Sequence, residues 1–244
     1  MEHEIVSRDE WLAARKQHLL REKELTRLRD ELSAERQSLP WVKVVKEYVF
    51  DTAQGKRTLA ELFEGRSQLV VYHFMLGPGW KDGCPSCSMA ADTMEGGVVH
   101  LEQRDVTFLA VSRAPLPEIE AFQSRMGWRF KWVSSNGNDF NYDYHVSFTP
   151  EERAEGKVYY NYDKREFPSE EAPGASVFYK DESGQVFHTY SSYGRGIEML
   201  LGAYFFLDLV PKGRDESELP WPMAWVRHHD RYESQPAHAC CGGA

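Results

Sequence analysis

The sequence predicts an α/β fold: three layers, α/β/α, on a mixed sheet, with a long N-terminal helix and a loop-rich insertion. Three observations carry that expectation. Two apolar runs, QLVVYHFML and VTFLAVSRA, are each followed by a helical pattern. Strands separated by helices need right-handed crossovers and pair in parallel. The segments ASVFYK and QVFHTY, joined by the turn DESG, then form a hairpin that adds antiparallel strands, and GIEMLLGAYFFLDLV closes the order as an apolar helix.

The elements follow in chain order. Residues 7–39 read as one helix: Ser7 and Glu10 fit a capping box, Leu25, Leu28 and Leu32 recur at helical spacing, Arg27 and Glu31 can pair across one turn, and Pro40 supplies the stop. Its thin apolar stripe needs a partner, either the main domain or a second copy of the chain. WVKVVKEYVF alternates and is rich in strand formers, AQGK is a turn, and TLAELFEG a short helix or loop. QLVVYHFML suits a central strand buried on both faces, and GPGWKDG is a loop. CPSCSMAADTMEGGVVHLEQR reads as a helix interrupted at Gly96 and Gly97. PLPEIEAFQSRMG is a helix opened near Pro115 or Pro117 and closed by Gly127. Residues 134–172 show little periodicity and read as an insertion, mostly loop. The expected organisation is a helical extension over 1–40, a main domain over 41–212, and a C-terminal segment over 213–244 with one amphipathic piece, MAWVRHHDRYE.

Composition narrows the function. The chain has 244 residues, 41% of them hydrophobic, enough to bury a proper core. Its formal net charge is −9 and no basic run stands out, which argues against nucleic acid as a main partner. No apolar window approaches the length of a membrane span, and MEHEIVSRDEWLAARK lacks the shape of a secretory signal. The expected compartment is therefore the cytoplasm, without a membrane partner. The four cysteines, Cys84, Cys87, Cys240 and Cys241, are too few and too clustered to be a disulfide framework. In a reducing compartment such pairs point to redox or metal chemistry.

The sharpest signal is C-P-S-C at a loop-to-helix junction directly after a buried strand. Residues three apart on a helix are neighbours at about 5–6 Å, within disulfide range. A helix start carries partial positive charge and unpaired amides, which favour a thiolate. Cys84 is thus expected as the exposed nucleophile of low pKa and Cys87, one turn inside, as the shielded resolving thiol. Pro85 suits the first helical position, and Trp80, Pro85 and Ser86 are expected to shape the site. The spacing Cys84-x2-Cys87-x12-His100 opens like a zinc finger, but Arg104, Asp105 and Val106 stand where the second histidine should fall. Ser88 stands where a haem attachment site needs histidine.

The element order resembles a thioredoxin-like domain with an added N-terminal strand and helix. The stretches YHFMLGPGWKDGCPSCSMAAD, RDVTFLAVSRAPL, DFNYDYHVSF and SVFYKDESGQVFHTYSSYGRG resemble a bacterial family of uncharacterised thioredoxin-like domains. Its members are described as predicted dithiol–disulfide oxidoreductases. The resemblance runs from WLAARKQHLLREKELTRLRDEL to MAWVRHHDRY. It implies the fold and a redox role for Cys84 and Cys87, and it names no substrate. It also implies a cis-proline at the start of the hairpin, for which Pro173 is the candidate. Where thioredoxins have W-C-G-P-C, Trp80 here lies four residues before Cys84 and Gly83 directly precedes it. The segment from GKRTLAELF through LVVYHF is similar to the opening of peroxiredoxin domains. Their P-x-x-x-T/S-x-x-C pattern is broken by Gly77 and Lys81, which argues against a conventional peroxidase.

Other features are weaker. HACCGGA places Cys240 and Cys241 beside glycines, similar to the redox tails of some flavoprotein reductases, yet no dinucleotide fingerprint exists here. These accessory thiols either pass electrons to Cys84, capture a soft metal with His238, or do neither. DFNYDYH opens like a calcium loop but has Tyr144 and Pro150 where glycine and glutamate are required, so it reads as an aromatic loop that can lid the redox site. His73 reads as a core histidine, and His228 and His229 as exposed. The sequence therefore supports a thiol–disulfide oxidoreductase needing no dissociable cofactor, acting on a protein or small-molecule disulfide and recharged by a thiol reductant. Its rivals are a thiol-based metal or metalloid site and a non-catalytic interaction module on the same scaffold.

Overall fold

A computed structural model describes residues 3–233. The chain divides into two compact units at the Trp41–Val42 bond. The first holds helix α1 (Arg8–Gln37). The Ser7 hydroxyl accepts from the Glu10 amide at 3.3 Å and the Glu10 carboxylate accepts from the Ser7 amide at 2.9 Å, the reciprocal cap that the sequence predicts. Leu25, Leu28 and Leu32 are about half exposed and no α1 residue is buried. Ion pairs along the helix include Arg15–Glu22 at 2.7 Å and Arg21–Glu24 at 3.0 Å, and the expected Arg27–Glu31 pair is not among those formed by the described residues.

The second unit is built on an eight-stranded sheet. Its elements are β1 (Val42–Lys43), β2 (Val49–Thr52), β3 (Gly55–Thr58), β4 (Gln68–His73), α2 (Pro85–Met94), α3 (Val98–Glu102), β5 (Val106–Ser112), α4 (Leu116–Met126) and β6 (Lys131–Ser134). After these come α5 (Phe140–Asp143), α6 (Pro150–Ala154), the paired strands β7 (Val158–Tyr160) and β8 (Asp163–Arg165), then β9 (Gly174–Lys180), β10 (Val186–Tyr193), a 3-10 segment (Gly194–Leu200) and α7 (Gly202–Leu207). The strand order is β1-β10-β9-β4-β5-β6-β2-β3. β4, β5 and β6 run parallel, with helices in the crossovers, while β9 runs antiparallel to β4 and β10 antiparallel to β9. The run β10-β9-β4-β5, with a helix leaving the end of β4, is a thioredoxin-like core.

Alternation along β4 splits the core in two. Tyr72 faces a layer formed by α2 and α4, through Cys87, Ala90, Ala91, Ile119 and Phe122. Leu69 and Val71 face the opposite layer, where Leu62, Phe63, Phe140 and Tyr144 cover the sheet with shorter pieces of helix. The outer layers place the start of α2 against the C-terminal end of β4, which positions the cysteines.

Three elements differ from expectation. The strand read over WVKVVKEYVF is two: β1 pairs with β10 and β2 with β6, on opposite sides of the sheet. The six residues from Lys43 to Val49 span at most about 21 Å, whereas six strand spacings in a flat sheet cover about 29 Å. The sheet is therefore curled, and the linking segment is tied down by Lys46, whose ammonium meets Asp139 at 2.8 Å and Asp143 at 2.6 Å. The region 134–172 is more ordered than a loop. It carries α5, α6 and the β7–β8 pair around a small core of Val146, Phe148, Val158, Tyr160 and Ala172 with Tyr193. The expected apolar helix after β10 is instead a 3-10 segment and α7, separated at Leu201, and Gly202 opens α7 where a Cβ would come within 2.6 Å of Thr93 Cγ2 on α2. The interruption at Gly96 and Gly97 and the left-handed cap at Gly127, φ +66°, are as expected.

Candidate functional site

After β4 the chain folds back so that the Cys84 amide donates to the Met75 carbonyl at 3.0 Å. Cys84 is the N-cap of α2 and Pro85 its first residue, where a missing amide costs nothing. The Cys84 carbonyl accepts from the Ser88 amide and the Ser88 hydroxyl, both at 3.0 Å, locking the first turn. Gly83 is required by contact: a Cβ there would lie 2.5 Å from Phe74 Cε1 and 2.9 Å from Phe122 Cε1. Both rings are buried, so the loop that presents Cys84 rests directly on the aromatic core.

The two thiols are free and differ in environment. Cys84 is partly exposed and Cys87 is buried. The Cys84 pKa falls from 9.0 to about 7. A hydrogen bond from the Cys87 thiol is the largest cause and outweighs burial, and the amides of Cys87 and Ser86 with the Ser86 hydroxyl add to it. The Cys87 thiol is pushed well above its ordinary value, first by burial and then by its hydrogen bond to Cys84 and the Cys84 charge. The Tyr72 phenol, buried on β4, opposes this by hydrogen bonding to Cys87. The arrangement has one thiol that ionises near neutrality and one held protonated behind it.

Cys84, Ser86 and Cys87 open onto a cleft of about 770 Å³. Its walls are largely apolar, with Tyr160, Phe167, Pro173, Leu201, Trp221 and Met223 among them. Pro173 directly precedes β9, as expected, and its carbonyl accepts from the Tyr160 hydroxyl at 2.7 Å. No peptide bond among the described residues is cis, so Pro173 is trans, against the expectation drawn from thioredoxins. Trp80 packs against the same core cluster as Cys84, but it does not line the cleft; its indole donates to Glu170 at 2.8 Å. Pro85 is exposed on α2 and does not line the cleft either. Cys240, Cys241 and His238 lie outside the described residues.

His228 departs most from expectation. It is buried at 4% exposure, packed edge-on to Phe122 with ring centres 5.4 Å apart. Arg125 Nη2 lies 2.8 Å from Nδ1, and a guanidinium can only donate, so Nε2 carries the proton and donates to the Gly83 carbonyl at 2.8 Å. Three residues on, Arg231 makes a two-pronged bond to Asp82 at 3.0 and 3.1 Å, and Arg125 also pairs with Asp82. Burial would raise the Asp82 pKa, but these bonds from Arg231 and Arg125 prevail and hold it below the usual carboxylate value. The C-terminal segment thus pins the two residues before Cys84. The sequence signals this only as the charged string RHHDRY, which gives no hint of a partner 145 positions away. His229, more exposed, pairs with Asp92 at 2.7 Å.

The remaining motifs sit elsewhere. Asp139 and Asp143 bind Lys46, and Asp143, Tyr144 and His145 line a separate cavity of about 390 Å³ with His188 and Tyr193. DFNYDYH therefore does not lid the cysteines. His73 is a core histidine: Nε2 lies 2.8 Å from the Ser176 hydroxyl, while Nδ1 is buried without a partner. Among the described residues no three His, Cys, Asp or Glu side chains gather as a metal site, and no helix is long and apolar enough to cross a membrane.

Comparison with solved structures returns low-identity matches. Peroxiredoxin Q of Xanthomonas campestris is 13% identical, over 66% of this chain and 89% of its own, with a TM-score of 0.45. The peroxidoxin BcpB of Mycobacterium tuberculosis is 10% identical over 67% and 93%, TM-score 0.44. A putative thiol:disulfide interchange protein, DsbE, of Chlorobium tepidum is 12% identical over 68% and 97%, TM-score 0.41. No curated protein matches the sequence. Residues 1–232 match one family from end to end, and the chain belongs to it: the bacterial proteins of unknown function DUF899.

Proposed function

We propose that the protein is a dithiol–disulfide oxidoreductase in which Cys84 is the nucleophile and Cys87 the resolving thiol. The observation that carries the reading is the opposite tuning of two thiols one helical turn apart, Cys84 down to about 7 and Cys87 well up. The Cys84 thiolate attacks one sulfur of a substrate disulfide and expels the other as thiolate, leaving a mixed disulfide. Cys84 then carries no charge, so the repulsion and hydrogen bond that held Cys87 protonated are gone. Cys87 gives its proton to the first substrate thiolate expelled, with Tyr72 donating to the anion left behind, and attacks Cys84 Sγ. The second substrate thiolate leaves, two electrons have passed to the substrate, and the protein holds a Cys84–Cys87 disulfide. An external thiol reductant restores the dithiol. The apolar walls of the cleft suit a disulfide carried on apolar groups, on a protein or a small molecule.

Turnover of a model disulfide tests the reading. Cys84→Ser should reduce it at least about 1,000-fold, on the scale of losing a covalent nucleophile. Cys87→Ser should instead trap a mixed disulfide at Cys84. Undiminished reduction by the Cys84→Ser protein would sink the mechanism, and no turnover by the unaltered protein would favour a thioredoxin scaffold used only for binding.

A further inference from the structure

Three separate parts of the chain wall the cleft onto which Cys84 opens. Tyr160 and Phe167 come from the insertion, Ile197 from the 3-10 segment after β10, and Trp221 and Met223 from the C-terminal segment. The volume of about 770 Å³ falls within the range of about 300–1,000 Å³ usual for sites that enclose small molecules. A folded protein presents its disulfide on a broad surface and needs an open thiol; here walls stand around Cys84, and Cys87 is 2% exposed. Four charged side chains also line the cleft, Arg195 and Arg214 against Glu198 and Glu216, so their formal charges cancel. Each already has partners within the chain. Arg214 donates to Glu198 at 2.6 Å and twice to Asp208 at 2.7 Å, and its guanidinium lies 3.9 Å from the centre of the Tyr204 ring. Glu216 accepts from the Trp225 indole at 2.6 Å, the Tyr204 hydroxyl at 2.8 Å and the Met223 amide at 3.0 Å. The Arg195 side chain is 87% exposed, with Glu198 at 3.4 Å, so water screens it. The Tyr160 hydroxyl is satisfied as well, donating to the Pro173 carbonyl at 2.7 Å and accepting from the Gly194 amide at 2.8 Å. A charged ligand would give up its water here and meet no unmatched charge, whereas an apolar one gains by covering the walls.

We propose that the substrate is a small uncharged disulfide with aryl or alkyl arms, taken into the cleft as a whole, and that Trp221 is a specificity-determining residue for it. The inference rests on the thiol-exchange reading of Cys84 given above and narrows its substrate to this class. The Trp221 indole is 64% exposed, which leaves apolar ring area at the cleft for one arm of the ligand to cover. The exchange itself is unchanged. One substrate disulfide and the protein dithiol give two substrate thiols and the Cys84–Cys87 disulfide, which an external thiol reduces. Selection then comes from burial of the arms and from the absence of an unmatched charge in the walls, with the thiol pair as the reacting group.

Single-turnover mixing of the reduced full chain with three disulfides tests the substrate class. The probes are dithiodipyridine, uncharged at neutral pH, dithiobis(nitrobenzoate), which carries two carboxylates, and the interchain disulfides of insulin. Each rate is taken as the excess over the Cys84→Ser protein, so that other thiols drop out. It is then divided by the rate of mercaptoethanol with the same disulfide, so that leaving-group differences drop out. Dithiodipyridine should be favoured at least about tenfold over each of the other two. Trp221→Ala should raise the half-saturating concentration of dithiodipyridine at least about threefold and leave iodoacetamide alkylation of Cys84 within about twofold, since the lost ring area serves binding and not the thiol. Equal or higher normalised rates with dithiobis(nitrobenzoate) or insulin overturn the substrate class while the dithiol reading stands. An unmoved half-saturating concentration in the Trp221→Ala protein overturns the role of Trp221. If no disulfide reacts faster with the unaltered protein than with Cys84→Ser, the dithiol reading fails and this inference falls with it.

Discussion

Two ionisable centres lie on opposite faces of β4, and they are tuned in different ways. On one face Tyr72 meets Cys87 and, through it, Cys84. On the other, the next residue, His73, stacks on Tyr144 and lies against Phe140. His73 and Cys87 are buried, while Cys84 is partly exposed at the cleft. His73 has only the Ser176 hydroxyl, and burial drives its pKa from 6.5 to about 3, so it stays neutral. Cys84 meets the Cys87 thiol and the amides at the start of α2, and its pKa falls although burial opposes it. Burial alone silences an ionisable group; burial with donors aimed at the charged form makes it reactive near neutral pH. A helix start supplies such donors from the backbone, which is why the same strand carries an active centre at its end and an inert one beside it.

The largest effect that tests this contrast is in the reactivity of Cys84. With a pKa of about 7, half of Cys84 is thiolate at pH 7. An ordinary thiol titrating near 9 is about 1% ionised there, so Cys84 should alkylate tens of times faster than Cys87-like or exposed thiols, reduced somewhat by its lower intrinsic nucleophilicity. Iodoacetamide rates mapped per residue should fall about tenfold for each pH unit below 7 and level off above 8. A Cys84 profile with its midpoint near 9 would show that the donors at the α2 start do not outweigh burial.

Much of this centre is legible in sequence because it is local. The apolar run of β4, the loop, the C-P-S-C spacing and Pro85 at the helix start all fall within about twenty residues, and the fold places them as read. The illegible parts are those that close through space. Trp80 turns away to Glu170, ninety positions on, so its nearness to Cys84 in sequence says nothing about the cleft. Pro173 lines the cleft, but with a trans bond where the resemblance implied a cis one, and no residue pattern specifies that bond. His228 reads as a surface residue because its string is charged; burial becomes favourable only when Arg125 and the Gly83 carbonyl satisfy both ring nitrogens. The strand over residues 41–50 misreads for a related reason. Its alternation is sound, but sheet curvature splits it between the two sides of the sheet, and curvature is a property of the whole sheet.

Gly83→Ala breaks the comparison more gently. The added Cβ would press on Phe74 and Phe122, two buried rings in contact with each other at 6.1 Å between centres. Overpacking of this kind costs about 1–3 kcal/mol. The loop cannot move towards solvent freely, since His228 and Arg231 hold Gly83 and Asp82 from outside. Cys84 should therefore shift relative to the α2 amides, lose part of their donation, and titrate closer to 9. Chemical denaturation and the alkylation profile read the two consequences separately. A variant destabilised with its Cys84 midpoint unmoved would show that the loop's seat on the core serves stability and not tuning.

The smallest effect lies on the silent face. Above pH 6.5 His73 is neutral in both folded and unfolded chains, so its burial contributes no pH dependence there. Below 6.5 the unfolded chain takes up a proton that the folded protein refuses until about pH 3. Stability should accordingly drop as the pH falls through this window, by about 1.4 kcal/mol per unit from this one group. His188, also held below its ordinary value by burial, acts in the same direction. His73→Gln removes the titration and keeps a polar atom for Ser176, so its denaturation free energy between pH 6 and 4 should fall with a slope shallower by that one proton. The rate of disulfide exchange at pH 7.5 should stay within about twofold, because no hydrogen bond links His73 to the thiols and its charge does not change there. An unchanged slope would mean that water or a nearby group stabilises the charged imidazole, and the difference between the two faces of β4 would then lie in their geometry and not in their electrostatics.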